Sequence, residues 1–296
     1  MYYAFLFILS VLPAVFLLWF FEKQDKGEKE PRRLKNKVFL LGVLMVVIAA
    51  VIETGMDSFA SSFQINHWVR IAITAFLIAA LVEEGLKLYV VKKYAFNHEK
   101  YNEIMDGITY MVIASLGFAV FENILYVMPM GAGVGVMRAV LAVPAHAMFS
   151  GVMGYYIGKA KFENNKVKSR KLMLIGFLFA LLYHGLYDFF LMSETGLVLA
   201  VVPLMVLMAA HLKHLINKAR FEDKSQKHKP LKFGIKRVLR IIFGSSFILF
   251  AVVALTGTIM AAVDKQLPTE ELFFVGPTVL ISFTIGYFLL RTKKRK

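Results

Sequence analysis

Long apolar runs, separated by short clusters of basic residues, make up most of this chain. A helix of ~20 apolar residues is long enough to cross the hydrocarbon core of a bilayer, which is ~30 Å thick. Hydrophobic residues account for 58% of the 296 residues and charged residues for 19%, whereas about 45–50% apolar residues is usual in a soluble domain. The pattern predicts an all-α, polytopic membrane bundle and excludes a soluble globular fold.

The apolar runs predict nine membrane spans. They lie at residues 1–21, 38–56, 69–91, 106–128, 136–158, 172–192, 195–212, 240–263 and 272–290. Nearly all of the 35 Lys and Arg residues lie in alternate connecting segments and in the C-terminal tail. Because basic loops stay in the cytoplasm, the N-terminus is predicted to be outside and the C-terminus inside. The net charge of +15 then reflects topology, and no nucleic-acid partner is expected.

Three regions follow along the chain. Residues 1–213 are predicted to form a helical core that carries the function. Residues 214–239 are polar and basic, and they predict a cytoplasmic linker. Residues 240–296 are predicted to add a transmembrane hairpin and a basic tail. The hairpin has no ionisable residue between Ile241 and Val263, so we expect it to serve packing or regulation.

Several kinds of site are excluded by what the sequence lacks. There is no Cys, so disulfides, thiolate metal sites and Cys nucleophiles are ruled out. The patterns GxxxxGK[ST], GxGxxG and HExxH do not occur either. Nucleotide cradles and the common zinc-protease helix are therefore not supported.

The third predicted span contains three ionisable residues, Glu83, Glu84 and Lys87. Such groups are costly in a bilayer, about 2.5–3.5 kcal/mol each at a helix centre, and persist where they face a protein interior or a water-filled cavity. Adjacent helical residues point about 100° apart, so we expect the two carboxylates not to share one contact. Lys87 can pair with either glutamate. The glutamate left without a cation could act as a general base, and simple helix packing is the alternative.

The next three spans also contain polar residues. Glu122 and Asn123 interrupt the fourth span, and Glu122 needs a partner from another helix. His146 lies in the fifth span, two residues after a proline that is expected to kink the helix. His184 and Asp188 lie four residues apart in the sixth span, on one helix face.

Other polar residues are assigned no catalytic role. His211 and His214 lie beside Lys213, and we interpret them as interfacial. Glu53 and Asp57 lie near the outer end of the second span, where solvation at the membrane rim would explain them. Counting helical rise from the outer ends of the spans places the polar groups of the fourth, fifth and sixth spans in the extracytoplasmic half of the membrane, with the glutamate pair near the midplane. We therefore expect the site to open on that side.

The polar residues form four short motifs on successive spans. They are EExxK at 83–87, FAxxEN at 118–123, HxxF at 146–149 and HxxxD at 184–188. In this order they resemble the PrsW family of intramembrane proteases. That family is related to the type II CAAX prenyl endopeptidases and the bacterial Abi (CPBP) proteins. The resemblance covers roughly residues 1–212.

The resemblance implies a bacterial multi-pass membrane protein that acts in a stress response. It implies site-1 cleavage of a membrane-anchored, single-pass anti-sigma factor, and the predicted depth of the polar groups places the expected cut on the extracytoplasmic side. It also implies a glutamate-dependent hydrolase, often labelled a metalloprotease. In the prenyl endopeptidase relatives, a Glu and a His activate water, and a later His and Asn stabilise the oxyanion. Asp188 stands where that Asn is expected; an ionised Asp cannot donate a hydrogen bond, so we expect it to orient His184 or to act protonated.

The expected mechanism uses water as the nucleophile. Glu83 or Glu84, together with His146, would deprotonate a water that attacks the peptide carbonyl. His184 would donate a hydrogen bond to the developing oxyanion. The two polar residues of the fourth span would support these groups.

No cofactor is expected in the favoured version of this site, because a zinc-binding spacing within one helix is missing. A zinc ion held by Glu84, His146 and His184 is the alternative. Two other functions remain open. A proton-coupled membrane transporter could use the buried Glu, His and Asp residues, although no inverted repeat is present. A purely structural or chaperone-like membrane protein could use the same residues to bind its helices together.

Overall fold

The computed structural model describes residues 2–24 and 29–223, together with Leu280 and Thr284. The span predicted at 240–263 and the predicted linker beyond 223 lie outside this description, and so does the span predicted at 272–290 apart from Leu280 and Thr284. The described part is helical and contains no strand. Its elements are α1 (Tyr2–Gln24), α2 (Arg32–Ser61), α3 (His67–Ala72), a π-helical segment (Ile73–Ala80), α4 (Leu81–Tyr94), α5 (Ile104–Met130), α6 (Ala132–Val140), α7 (Ala142–Lys161), α8 (Lys166–Met192), a 3₁₀ turn (Gly196–Ala200) and α9 (Val201–Glu222).

Six helical runs in the described part are long and apolar enough to cross a membrane. They are α1, α2, α5, α6 with α7, α8, and α9 with its preceding 3₁₀ turn. The predicted all-α membrane class is confirmed. The total of nine spans and the orientation of the termini stay predictions.

The third predicted span, at 69–91, lies in an uninterrupted run made of α3, the π-helical segment and α4. The sequence pattern indicated a regular α-helix, and the π turns are the difference. π-helical turns are rare and often occur at functional sites, because they re-aim the side chains that follow. Here Glu83 and Glu84 lie in the first turn of α4, directly after the π turns. The segment packs on α8, where the Phe76 ring lies against Gly185.

The fifth predicted span, at 136–158, is divided into two helices at Leu141. Pro144 lies in the first turn of α7, where its missing N–H costs no intrahelical hydrogen bond. The expected kink is therefore present as a helix boundary. It starts α7 at Ala142, so that His146 lies near the beginning of the helix and faces the bundle interior.

α5 is the central helix and packs against α1, α2 and α7. Its contact with α7 depends on glycine. A Cβ on Gly154 would lie 2.4 Å from the carbonyl oxygen of Gly107, and one on Gly158 would lie 2.3 Å from that of Ile104. Small residues let two helix backbones approach closely. This close approach brings the polar residues of α5 and α7 within hydrogen-bond distance.

Side-chain contacts identify which connections lie at each end of the bundle. At one end, Lys161 donates to the carbonyl oxygen of Phe96, and Asp223 accepts from the backbone N–H of Ile104 at 2.7 Å. At the other end, Arg70 of α3 pairs with Asp57 of α2 at 3.0 Å. The first end carries the basic connections of the described part, and we call it the basic end.

α9 is longer than the span predicted at 195–212, because it continues to Glu222. The first residues of the predicted linker, from 214, are therefore helical. Asp223 follows the helix, and its two carboxylate oxygens accept from the N–H groups of Ile104 (2.7 Å) and Met105 (3.1 Å). These contacts join the end of α9 to the start of α5. Burial raises the pKa of Asp223 from 3.8 to about 6.

Candidate active site

Four helices bring the predicted site residues into one buried cluster. α4, α5, α7 and α8 contribute Glu83, Glu84, Lys87, Glu122, Asn123, His146, His184 and Asp188. Each of these residues contacts another member of the cluster or Arg138 of α6. The sequence motifs therefore predicted a set of residues that the fold places together.

Lys87 lies between both glutamates of α4. Its Nζ atom is 3.0 Å from Glu83 Oε2 and 2.7 Å from Glu84 Oε1. The expectation that one carboxylate would lack a cation is wrong. The Lys side chain starts three and four residues further along the helix and is long enough to reach a point between both carboxylates. The Cβ atoms of Glu83 and Glu84 point about 100° apart, but the Lys87 side chain is long enough for its ammonium to contact both carboxylates.

His146 is held from both sides of its ring. Its Nδ1 atom lies 3.1 Å from Lys87 Nζ, and its Nε2 atom lies 2.8 Å from Glu122 Oε2. A lysine ammonium can only donate, so Nδ1 accepts and Nε2 carries the proton that is donated to Glu122. These contacts assign a neutral ring in one tautomer.

Arg138 of α6 is the cation that Glu122 needs. Its Nη2 atom lies 2.8 Å from Glu122 Oε2, and its Nε–H donates to Asn123 Oδ1 at 2.8 Å. Asn123 in turn donates to the carbonyl oxygen of Ser10 on α1 at 3.3 Å. Arg138 was not among the residues predicted to form the site. The available signal was that a carboxylate inside a span requires a cation from another helix.

His184 lies between two carboxylates. Its Nδ1 atom is 3.1 Å from Glu84 Oε1, and its Nε2 atom is 3.3 Å from Asp188 Oδ2. Because both nitrogens face acceptors, the contacts favour a ring that is protonated at both positions. The ring also stacks on Phe149 at a centroid distance of 4.7 Å. Asp188 therefore has the geometry of a group that orients His184.

Glu84 is the most enclosed carboxylate of the cluster and has no solvent exposure. Besides Lys87 and His184, it accepts a hydrogen bond from the Ser150 hydroxyl at 3.1 Å. Ser150 was not among the residues predicted to form the site. With this number of partners, Glu84 is suited to holding neighbouring side chains in place.

A cavity of about 460 Å³ lies beside the cluster. Glu83, Glu122, His146, His184 and Asp188 line it, whereas Glu84 does not. Glu83 is therefore the glutamate of α4 that meets the cavity. The cavity is also lined by residues near the C-terminal ends of α2 and α8, so it opens at the end of the bundle away from the basic end.

Glu53 also lines this cavity. Its Oε1 atom is buried and has no hydrogen-bond partner among the described residues. Solvation at the membrane rim therefore does not explain Glu53. Asp57, one turn further along α2, is paired with Arg70, which explains its position without solvation.

His211 is half-buried in the middle of α9. Its Nδ1 atom lies 2.8 Å from the hydroxyl of Tyr183 on α8. His211 therefore contacts a neighbouring helix, and the interpretation of His211 as interfacial stays a prediction. His214, by contrast, is exposed.

Two groups of three residues could hold a metal ion. They are Glu83 with Glu84 and His184, and Glu83 with Glu122 and His146, and within each group one ligand atom per residue lies within 4.8 Å of the others. Carboxylate oxygens and imidazole nitrogens suit zinc and other divalent cations, so the residue types fit. The expected trio of Glu84, His146 and His184 is not such a group among the described residues. The two rings contact different carboxylates, and their centroids lie 5.4 Å apart.

Comparison with known proteins agrees with this arrangement. A family profile described as PrsW family intramembrane metalloprotease matches residues 30–211. The protein named Protease PrsW from Clostridioides difficile is 34% identical over 216 residues, which cover 71% of this chain and 90% of that protein. Its namesake from Geobacillus kaustophilus is 40% identical over 186 residues, 62% of this chain and 79% of that protein.

A third relative, Protease PrsW from Bacillus subtilis, is 33% identical over 199 residues, 67% of this chain and 88% of that protein. No solved structure matches the chain. The profile covers α2 to α8, which contribute every residue of the polar cluster. The chain therefore belongs to the PrsW family of intramembrane proteases, and it is a protease embedded in the bacterial membrane by several helices.

Proposed function

We propose that this chain hydrolyses a peptide bond of a membrane-anchored protein with a water molecule activated by Glu83. The observation that carries the proposal is the position of Glu83. It is the carboxylate of α4 that lines the cavity, while Glu84 is enclosed behind it. A general base must reach the proton that it abstracts, and only a group at the cavity can reach a water held there.

The neighbouring side chains suit the remaining steps. Glu83 takes a proton from the water while the water oxygen forms a bond to the carbonyl carbon of the substrate. Glu83 then gives this proton to the nitrogen of the leaving amine as the C–N bond breaks. His184 shares the N–H at Nε2, which faces Asp188 at 3.3 Å, with the oxygen that becomes negatively charged, in a site where little water competes. Glu84 and Asp188 hold the His184 ring for this purpose. His146 and Glu122 form the opposite wall and position the water.

A bound metal ion could activate the water for the same reaction. The family is described as a metalloprotease, and either group of three ligands could hold a divalent cation through carboxylate oxygens and one imidazole nitrogen. When bound, such an ion would polarise the carbonyl and lower the pKa of water. Zinc is the ion that this mixture of ligands favours.

The substrate that fits best is a single-pass membrane protein such as an anti-sigma factor, cut at site 1. Two features support this proposal. The cavity opens away from the basic end, and the positive-inside rule assigns that opening to the extracytoplasmic side. The resemblance of the four motifs to those of PrsW proteases supports the same substrate class. Family membership favours this activity over the transporter alternative.

The test is cleavage of a purified single-span candidate substrate by the purified protein in proteoliposomes. The unmodified chain should release a fragment cut on the extracytoplasmic flank of the substrate helix. Glu83→Gln should lower the rate at least ~100-fold, because general base catalysis contributes about 10²–10⁴-fold and an amide cannot supply it.

His184→Ala should be similarly inactive, and His214→Ala is the matched control because His214 is exposed and lies outside the cluster. Near-normal cleavage by Glu83→Gln would refute the glutamate mechanism. A cut on the cytoplasmic flank would refute the proposed orientation. Equal losses in all three variants would indicate general destabilisation instead of chemistry.

A further inference from the structure

Lys87 is a completely buried cation at the centre of the cluster, with no exposed side-chain surface. Its ammonium contacts two carboxylate oxygens, from Glu83 and Glu84, at 3.0 and 2.7 Å, and the His146 Nδ1 atom at 3.1 Å. It also lies 4.4 Å from the centre of the Phe118 ring. Two carboxylate oxygens and one imidazole nitrogen are also the set of ligands that a divalent metal would use.

The contacts of Lys87 overlap with both candidate metal groups. Glu83 and Glu84 belong to one group, and Glu83 and His146 belong to the other. A metal ion bound to either group would therefore approach oxygens that already face the ammonium. Two cations that contact the same carboxylate oxygens repel strongly in a buried site, where the effective dielectric constant is far below that of water. The ammonium and a metal ion cannot occupy this site together at low cost.

The charges of the cluster are already paired without a metal. Lys87 pairs with Glu83 and Glu84, and Arg138 pairs with Glu122. The carboxylate of Asp188 faces the His184 ring. Buried charges persist where each has a partner of opposite sign. A divalent cation would add two positive charges at carboxylates that already face Lys87, Arg138 or the His184 ring.

We propose that the ammonium of Lys87 is the resident cation of this centre and occupies the place that a divalent metal would otherwise take. In this chain, metal binding and the Lys87 contacts are then mutually exclusive. The consequence differs from the description of the family as metalloproteases. Glu83, Glu84 and His146 form a metal-type site that is filled by a side chain of the same protein.

The test is metal binding by the purified full-length protein, measured without substrate. Each variant is dialysed against Co²⁺, and its visible absorption and metal content are recorded. The unmodified chain should bind well below one equivalent and show no bound-Co²⁺ spectrum. Lys87→Met, which keeps an unbranched side chain one atom shorter and removes the charge, should bind about one Co²⁺ per chain. Lys87→Arg keeps the charge and is the matched control, which should remain without metal.

Adding Glu83→Gln to Lys87→Met should abolish the bound metal, since this glutamate belongs to both candidate groups. Lys87→Met leaves buried carboxylates without a cation and is expected to be unstable in the absence of metal. Supplying Co²⁺ or Zn²⁺ during expression should therefore restore its yield and raise its melting temperature. The unmodified chain should show neither effect.

Stoichiometric metal in the unmodified chain, lost in Glu83→Gln, would overturn the proposal. So would a Lys87→Met protein that binds no metal, or one that cannot be recovered when metal is supplied. In the cleavage assay, the proposal rests on the proposed function and predicts activity that survives chelation. The binding assay needs no substrate, so a chain that fails to cleave would refute the function and leave the assignment of Lys87 intact.

Discussion

Arg138 and Glu122 form an ion pair that is largely enclosed, with side-chain exposures of 16% and 15%. Arg138→Gln removes the cation and leaves the enclosed Glu122 carboxylate with His146 as its remaining charged or polar contact among the described residues. Because an unpaired buried charge is costly, we expect a loss of about 2–3 kcal/mol in the free energy of unfolding. The measurement is thermal or denaturant unfolding in detergent.

The matched control is Arg70→Gln. Arg70 pairs with Asp57 at 3.0 Å, and their side-chain exposures are 29% and 49%. Exposed pairs contribute about 0–1 kcal/mol, so this variant should be close to the unmodified chain in stability. Equal losses in the two variants would contradict the assignment of Arg138 as the partner of a buried carboxylate.

Among the helices, the contact between α2 and α5 depends on Gly42. A Cβ at this position would lie 2.2 Å from the carbonyl oxygen of Ala114 on α5, a backbone atom that cannot move aside. Gly42→Ala should therefore push the helices apart and cost about 1–3 kcal/mol of stability. Gly55, on the same helix, has no atom within 4 Å of an added Cβ. Gly55→Ala should be neutral or slightly stabilising. If both variants behaved alike in thermal unfolding, the close approach of α2 to α5 would be wrong.

The connection between α9 and α5 should depend on pH through Asp223. Burial raises the pKa of its carboxyl from 3.8 to about 6, so the folded chain binds the proton more tightly than the unfolded chain. Between about pH 4 and pH 6, the contribution of Asp223 to stability therefore falls as the pH rises. Asp223→Asn removes this titration. The melting temperature of the unmodified chain minus that of the variant should decrease across this range. A difference that is constant with pH would contradict the prediction.

For the molecule as a whole, the proposed orientation can be tested with single cysteines, because the sequence has none of its own. Ser61 and Glu194 are exposed at the end where the cavity opens, and Asn165 is exposed at the basic end. A membrane-impermeant thiol reagent added to intact cells should label Ser61→Cys and Glu194→Cys. It should label Asn165→Cys only after the cells are broken, because the positive-inside rule places the basic end in the cytoplasm. Labelling of Asn165→Cys in intact cells would invert the proposed topology.

The sequence by itself determined the membrane class and predicted most of the residues that the structure brings together in the buried polar cluster. The length of an apolar run and the position of a basic cluster can both be read from a short stretch of sequence. An apolar run that matches the thickness of the hydrocarbon core predicts a transmembrane helix, and a basic cluster predicts a cytoplasmic loop. The four motifs could be recognised because ionisable residues are rare inside apolar runs. Pro144 likewise predicted a kink close to the point where the structure has the boundary between α6 and α7. The long helix α9 was missed because polar residues on its last turns resembled a linker.

Only the tertiary structure decided how these residues are paired. Lys87 and His146 are separated by 59 positions, and His184 and Glu84 by 100. The periodicity of one helix cannot specify contacts between residues that lie so far apart in the sequence. The sequence could not show that Lys87 reaches both glutamates, that Arg138 is the partner of Glu122, or that Glu83 faces the cavity. These contacts depend on the separation and rotation of the packed helices. Both are set by the packing of side chains in the bundle and by glycines that let helix backbones approach closely.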